Sequence, residues 1–153
     1  MTTEAPILIC YDGTDLAGHA IEVAAQLLGG RNAVVLDVGP PLTAEQSIAA
    51  SASPLVMPEF QDENLDTARR RARAGAELAR AAGFHAEFDA ELDAPTWEGI
   101  VDQAKAIDAA VIVVGSHGRG AVSEFFEGSV SHQVATHADR PVLIVPGTPG
   151  QTS

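Results

Sequence analysis

The chain is poor in cysteine and in positive charge, and each shortage excludes something. One cysteine among 153 residues rules out an internal disulfide and fits a reducing compartment. That residue, Cys10, ends the apolar run Ile7-Leu8-Ile9-Cys10 with no base close by in sequence. It therefore reads as a small buried core residue rather than a nucleophile. Nine lysines and arginines face 21 acids, a net charge of −12. A nucleic-acid partner needs a basic footprint, and an anionic membrane surface attracts basic segments, so neither is expected. No apolar run approaches the roughly 20 residues that cross a bilayer, and no basic start leads into an apolar stretch. The expectation is a cytoplasmic protein without a membrane anchor. Also missing are G-x-G-x-x-G after the first strand and G-x-x-x-x-G-K-[ST]. No metal-ligand cluster, nucleophile elbow or Ser–His–Asp order appears either, so no efficient catalyst is expected.

What is present is an alternation of short apolar runs and amphipathic segments. A length of 153 residues with 46% hydrophobic content suits one domain over 1–153, with its core at about 6–146 and a short tail at 147–153. Strand-like runs occupy 7–11, 33–38, 84–92, 109–114 and 142–145. The first helix begins near Asp15, with Ala17, Ala20, Ile21, Ala24, Ala25 and Leu28 at i, i+3, i+4, i+7 spacing, and stops at Gly29-Gly30. Further helices are read over 62–82, over 96–106 and from Ser129 onward. Repeated strand–helix alternation with near-continuous apolar strands means an α/β domain, an open parallel sheet covered by helices on both faces. The third strand is different: Phe84, Ala86, Phe88, Ala90 and Leu92 alternate with His85, Glu87, Asp89 and Glu91, which places it at a sheet edge. Segment 39–60, rich in Pro, Ser and Ala, is long for a βα connection and reads as a flexible loop or a lid. Arg69, Arg70, Arg71, Arg73 and Arg80 hold five of the nine positive charges on one helix, either as an anion patch or as a solvated face.

The densest signal is Val111-Ile112-Val113-Val114-Gly115-Ser116-His117-Gly118, followed by Gly128-Ser129. A β-branched run ends at a glycine, a second glycine follows three residues on, and a third opens an amphipathic helix. Glycines let a backbone approach a ligand closely, and a helix N-terminus offers unpaired N–H groups at the positive end of its dipole. Strand, glycine loop and helix start together point to phosphate.

These residues resemble the universal stress protein family, whose nucleotide-binding members carry Gly-x2-Gly-x9-Gly-Ser/Thr. Here the pattern is Gly115, Gly118, Gly128 and Ser129. The opening Ile7-Leu8-Ile9-Cys10-Tyr11-Asp12-Gly13-Thr14 is similar to the family's first strand, and Gly128 to His132 with His137 to Val145 is similar to its last helix and strand. The resemblance implies a five-stranded parallel sheet of order 3-2-1-4-5 and an adenine-nucleotide site at the carboxyl ends of strands one and four. It implies ATP, or AMP or cyclic AMP, with Mg²⁺ accompanying ATP. Asp12 would face the ribose or, indirectly, the phosphate-bound ion, or else cap the turn or first helix. Val38 would offer its backbone to the adenine edge. Gly115 and Gly118 would pass close to the ribose and phosphates. Gly128, Ser129 and Val130 would donate N–H groups, and Ser129 and Ser131 hydroxyls, to the phosphates. Ser129 also suits the N-cap of the last helix.

The function so implied is an adenine-nucleotide-binding regulator of the stress response, with at most slow ATP hydrolysis. The alternative is a nucleotide-free interaction module of the same fold. Glu124 and Glu127 depart from the family pattern in the nine-residue loop, where a carboxylate repels a triphosphate and Arg119 offsets one charge. Val142, Leu143, Ile144 and Val145 form an apolar strand that the implied order puts at the other edge. Two copies meeting there across a two-fold axis, a homodimer, would cover it.

Overall fold

The computed structural model describes residues 4–116 and 129–147. Its elements are β1 (Ile7–Cys10), α1 (Asp15–Leu28), β2 (Asn32–Gly39), α2 (Ala44–Ala52), a 3₁₀ turn (Pro54–Val56), α3 (Met57–Ala82), β3 (His85–Leu92), α4 (Thr96–Ala106), β4 (Val111–Ser116), α5 (Val130–His137) and β5 (Val142–Pro146). The five strands form one sheet of order β3-β2-β1-β4-β5, and every pairing is parallel. This is the α/β architecture expected from the alternation, and the edge position of the third strand follows its half-polar pattern.

Each sheet face has its own core. Ile7, Ile9, Val35 and Val113 pack under Ala20, Ile21 and Ala24 of α1 and Ala76 and Ala79 of α3. Leu8, Leu36, Ile112 and Val114 pack under Ile100 and Ala104 of α4 and Val134 of α5. Adjacent residues of β1 thus serve opposite faces, which is why Ile7-Leu8-Ile9 shows no polar alternation. Small residues bring α3 close to the sheet. A Cβ at Gly75 would stand 2.6 Å from the Tyr11 ring and 2.8 Å from Val35 Cγ1, so only glycine fits that crossing.

Several boundaries differ from the sequence reading. Segment 39–60, expected as a loop, carries α2 and the 3₁₀ turn, and α3 starts at Met57 rather than near residue 62. The reason is a capping box: Thr43 Oγ1 accepts the Gln46 N–H at 3.2 Å, and Gln46 Oε1 accepts the Thr43 N–H at 2.9 Å. Asn64 of α3 ties α2 down by donating to Gln46 Oε1 at 2.7 Å and to the Pro41 carbonyl at 3.1 Å. On β3, Phe88 is not buried with Phe84 and Ala86; it is 36% exposed, with the Arg73 guanidinium 5.5 Å from its ring centre. On β5, only Ile144 among the four apolar residues is exposed, and Val145 is fully packed.

Candidate functional site

The carboxyl ends of β1, β2 and β4 open into a cleft beside the start of α5. Its walls include Cys10, Tyr11, Asp12, Thr14, Leu16, Leu36, Asp37, Val38, Thr96, Ile100, Val114, Gly115 and Val130. The strand order reverses between β1 and β4, and open α/β sheets place ligands at that switch point.

The β1 rim is built locally. Asp12 Oδ1 accepts the Thr14 N–H at 3.1 Å and the Thr14 hydroxyl at 2.6 Å. Gly13 provides the positive φ of +85° that this tight turn requires. Thr14, not Asp12, is the N-cap of α1, its Oγ1 accepting the Ala17 N–H at 3.2 Å. Asp12 therefore shapes the turn while its carboxylate stays exposed at the cleft mouth.

The β2 rim is built over a long distance. Asp37 is 3% exposed, and its Oδ2 accepts the Arg71 Nε–H at 2.6 Å, from 34 residues away. Burial pushes the Asp37 carboxyl above its ordinary range, Arg71 opposes that shift, and Asp12 adds to it. The Arg71 stem also packs under the β1 turn, 3.2 Å from where a Gly13 Cβ would stand. Val38, the next residue, is buried against α4, where a Cβ on Gly99 would come within 2.9 Å of its Cγ1.

On the far side, Gly115 lies in β4, where a Cβ would meet the Leu16 side chain and carbonyl at 3.2 and 3.3 Å. Its smallness thus serves the β4–α1 packing as well as the cleft. Ser129 caps α5, its Oγ accepting the His132 N–H at 3.2 Å, and lies 3.3 Å from the buried Ser131 hydroxyl. Val130, in the first turn of α5, is 41% exposed and faces the cleft. The cleft gathers Asp12, Val38, Gly115 and Val130; Ser129 and Ser131 stand at the helix start behind Val130. Gly118 and Gly128, with His117, Arg119, Glu124 and Glu127, lie outside the described residues.

Sequence reasoning missed Asp37, Arg71 and Tyr11. A signal existed: Asp37 is the one charge inside the apolar run 33–38, and a buried carboxylate demands a cationic partner. The arginine-rich helix supplied one, but no local spacing showed which. Cys10 packs against the core under α4, as expected, and also lines the cleft. Burial, with Asp12 and Asp37 adding, pushes its thiol up to about 12, so it is protonated and unreactive at neutral pH. Among the described residues no group of three or more His, Cys, Asp or Glu side chains is arranged to hold a metal ion, and no helix is long and apolar enough to cross a membrane.

An open doubly wound sheet with an apolar cleft at its switch point, flanked by a hydroxyl-capped helix start, defines an α/β domain with a candidate small-ligand site. The sequence model of the universal stress protein family matches residues 5–146, and the chain belongs to that family. A universal stress protein of Thermus aquaticus, encoded in the QAH/OAS sulfhydrylase 3' region, is 33% identical over 142 residues, covering 91% of this chain and 96% of the relative. The universal stress protein YxiE of Bacillus subtilis (strain 168) is 31% identical over 146 residues, covering 91% and 97%. Solved structures share the fold. A universal stress protein in complex with cAMP superposes with a TM-score of 0.67 at 24% identity, covering 94% of this chain and 98% of that one. The Archaeoglobus fulgidus universal stress protein in complex with dAMP does so with a TM-score of 0.66 at 23% identity, covering 94% and 99%.

Proposed function

We propose that this protein binds an adenine nucleotide in the cleft at the ends of β1, β2 and β4, and acts in the cytoplasm as a homodimeric regulator of the stress response. One observation carries the reading: a single cleft joins an exposed carboxylate on β1, an apolar wall and the main chain at the end of β2, and the N-terminus of α5. These are the chemistries of a ribose, a base and a phosphate, in that order. Asp12 suits a ribose hydroxyl or, for ATP, a phosphate-bound Mg²⁺. The Val38 backbone suits the adenine edge. The N–H groups of Val130 and its neighbours, with the Ser129 and Ser131 hydroxyls, suit the phosphates. The cAMP and dAMP carried by the two structurally similar proteins support an adenine ligand. The Gly115, Gly118, Gly128, Ser129 spacing supports ATP. No residue in the cleft is assigned a catalytic role, and slow ATP hydrolysis is the most that is expected.

A thermal-shift panel of ATP, AMP and cyclic AMP, with and without Mg²⁺, tests the reading. Ligand at 100 times its Kd should add about 2.7 kcal/mol to stability. No shift with any of the three leaves the nucleotide-free interaction module as the better description. Assembly is tested separately. Ile144 is 39% exposed on the unpaired edge of β5, a liability that a two-fold copy would cover. Light scattering should give twice the 15.8 kDa of one chain, and Ile144→Lys should give a monomer or an insoluble protein. A monomeric wild type at micromolar concentration rules the dimer out.

A further inference from the structure

Helix α2 faces the wrong way for its sequence. Its inner side carries Ala50, its one buried residue, and Gln46, which exchanges hydrogen bonds of 2.7 and 3.2 Å with Asn64 of α3. Ala44, Ile48 and Ala52, spaced four residues apart, form a stripe on the opposite side, and all three are exposed, Ile48 by 74%. A surface helix ordinarily buries its isoleucine and leaves its amide in water. The 3₁₀ turn and the start of α3 add Leu55, 90% exposed, and Met57, 36% exposed. Helix α2 packs chiefly against that turn and α3, and among the described residues none covers its outer side. The charge on this part of the chain has one sign. Glu45, Glu59, Asp62 and Glu63 are exposed, and no Lys, Arg or His occurs between Arg31 and Arg69.

We infer that the outer side of α2, with Leu55 and Met57, is a docking surface for a positively charged amphipathic helix of a partner protein. Ile48 and Leu55 pack into the apolar face of that helix. Glu45, Glu59, Asp62 and Glu63 meet the lysines or arginines that flank it, steering the encounter. The same acids disfavour the other occupants. A second copy across a two-fold axis would set acid against acid, and an anionic lipid surface is repelled. None of the described residues lining the cleft at the ends of β1, β2 and β4 belongs to α2 or the 3₁₀ turn, so docking here does not depend on what that cleft binds.

The test uses the full chain, isotope-labelled, and a synthetic leucine–lysine peptide with leucines at i, i+3, i+4, i+7 spacing. Amide shifts on titration should map to residues 44–63, and fluorescence anisotropy should give a Kd that rises with salt. Ile48→Ser combined with Leu55→Ser removes apolar surface and no charge, and should raise that Kd about tenfold or more. Both side chains are exposed, so the urea midpoint of the double variant should match wild type. Amide shifts centred elsewhere, or an unchanged Kd in the double variant, overturns the inference. So does equal binding of a leucine–glutamate peptide, or of a leucine–lysine peptide in scrambled order, which would reduce the contact to charge alone. Phosphatidylcholine vesicles bound in place of the peptide would assign the patch to a lipid surface. A wild-type mass that halves in the double variant would assign it to a second copy. Either result overturns the partner helix.

Discussion

The ends of β1 and β2 each carry an aspartate into the same cleft, and they are held in opposite ways. Asp12 is exposed and fixed by Thr14, two residues on; Asp37 is buried and fixed by Arg71, 34 residues on. The first is a turn that its own sequence folds, with Gly13 supplying the left-handed backbone. The second exists only once α3 has docked on the sheet, and that docking depends on small residues at the crossing. One rim of the cleft is therefore robust and local. The other depends on tertiary packing and fails if α3 shifts.

That contrast can be broken most forcefully at the crossing. Gly75→Val places side-chain atoms where the Tyr11 ring and Val35 already stand, so α3 must move off β1 and β2. Urea denaturation should show a loss of about 3 kcal/mol, the upper range for overpacking. Wild-type stability would mean that the crossing is not tight. Next comes Arg71→Leu, which strands a buried carboxylate. Arg71 is 40% exposed, so the loss is set at about 2 kcal/mol, below that for a fully enclosed pair. The pH dependence gives it a signature. Asp37 already titrates above its ordinary range, and removing Arg71 takes away what opposes that shift. A raised folded-state pKa contributes stability at low pH that is lost as pH rises through it. The deficit of Arg71→Leu should thus be full at neutral pH and shrink on acidification toward the ordinary carboxylate range. A deficit independent of pH would assign Arg71 a packing role only. The smallest effect is expected at Asp12. Asp12→Ala should cost less than about 1 kcal/mol, because Thr14 still caps α1. It should nevertheless weaken ATP binding about tenfold, a split that Arg71→Leu does not show. Equal losses of stability at the two sites would erase the distinction between the rims.

The same contrast explains what was legible in the sequence. Apolar runs without alternation, as in Ile7-Leu8-Ile9, gave the parallel buried strands, and the half-polar pattern of β3 gave its place at the edge. Asp12, Val38, Gly115 and Val130 were named from motifs that are contiguous or regularly spaced, and the fold brings these four into one cleft. Helix α2 was missed although its capping box, Thr43 to Gln46, is local; its Pro- and Ser-rich surroundings masked the signal. Phe88 was placed inside by its period-two pattern, but at the sheet edge it stays 36% exposed, with the Arg73 guanidinium of α3 over its ring. Arg71 was seen only as one of five arginines on a helix. Its partner is fixed by how α3 sits on β2, and no sequence period encodes that.

Val130 offers the most direct test of whether the cleft at the switch point between β1 and β4 takes an adenine nucleotide. Val130 faces the cleft mouth and is exposed, so Val130→Trp should fill the mouth without disturbing either core. Titration calorimetry with ATP, AMP and cyclic AMP should show one site per chain in wild type for at least one nucleotide. That site should be lost in Val130→Trp while the melting temperature without ligand is unchanged. Nucleotide bound equally by both proteins, or by neither, would contradict the account.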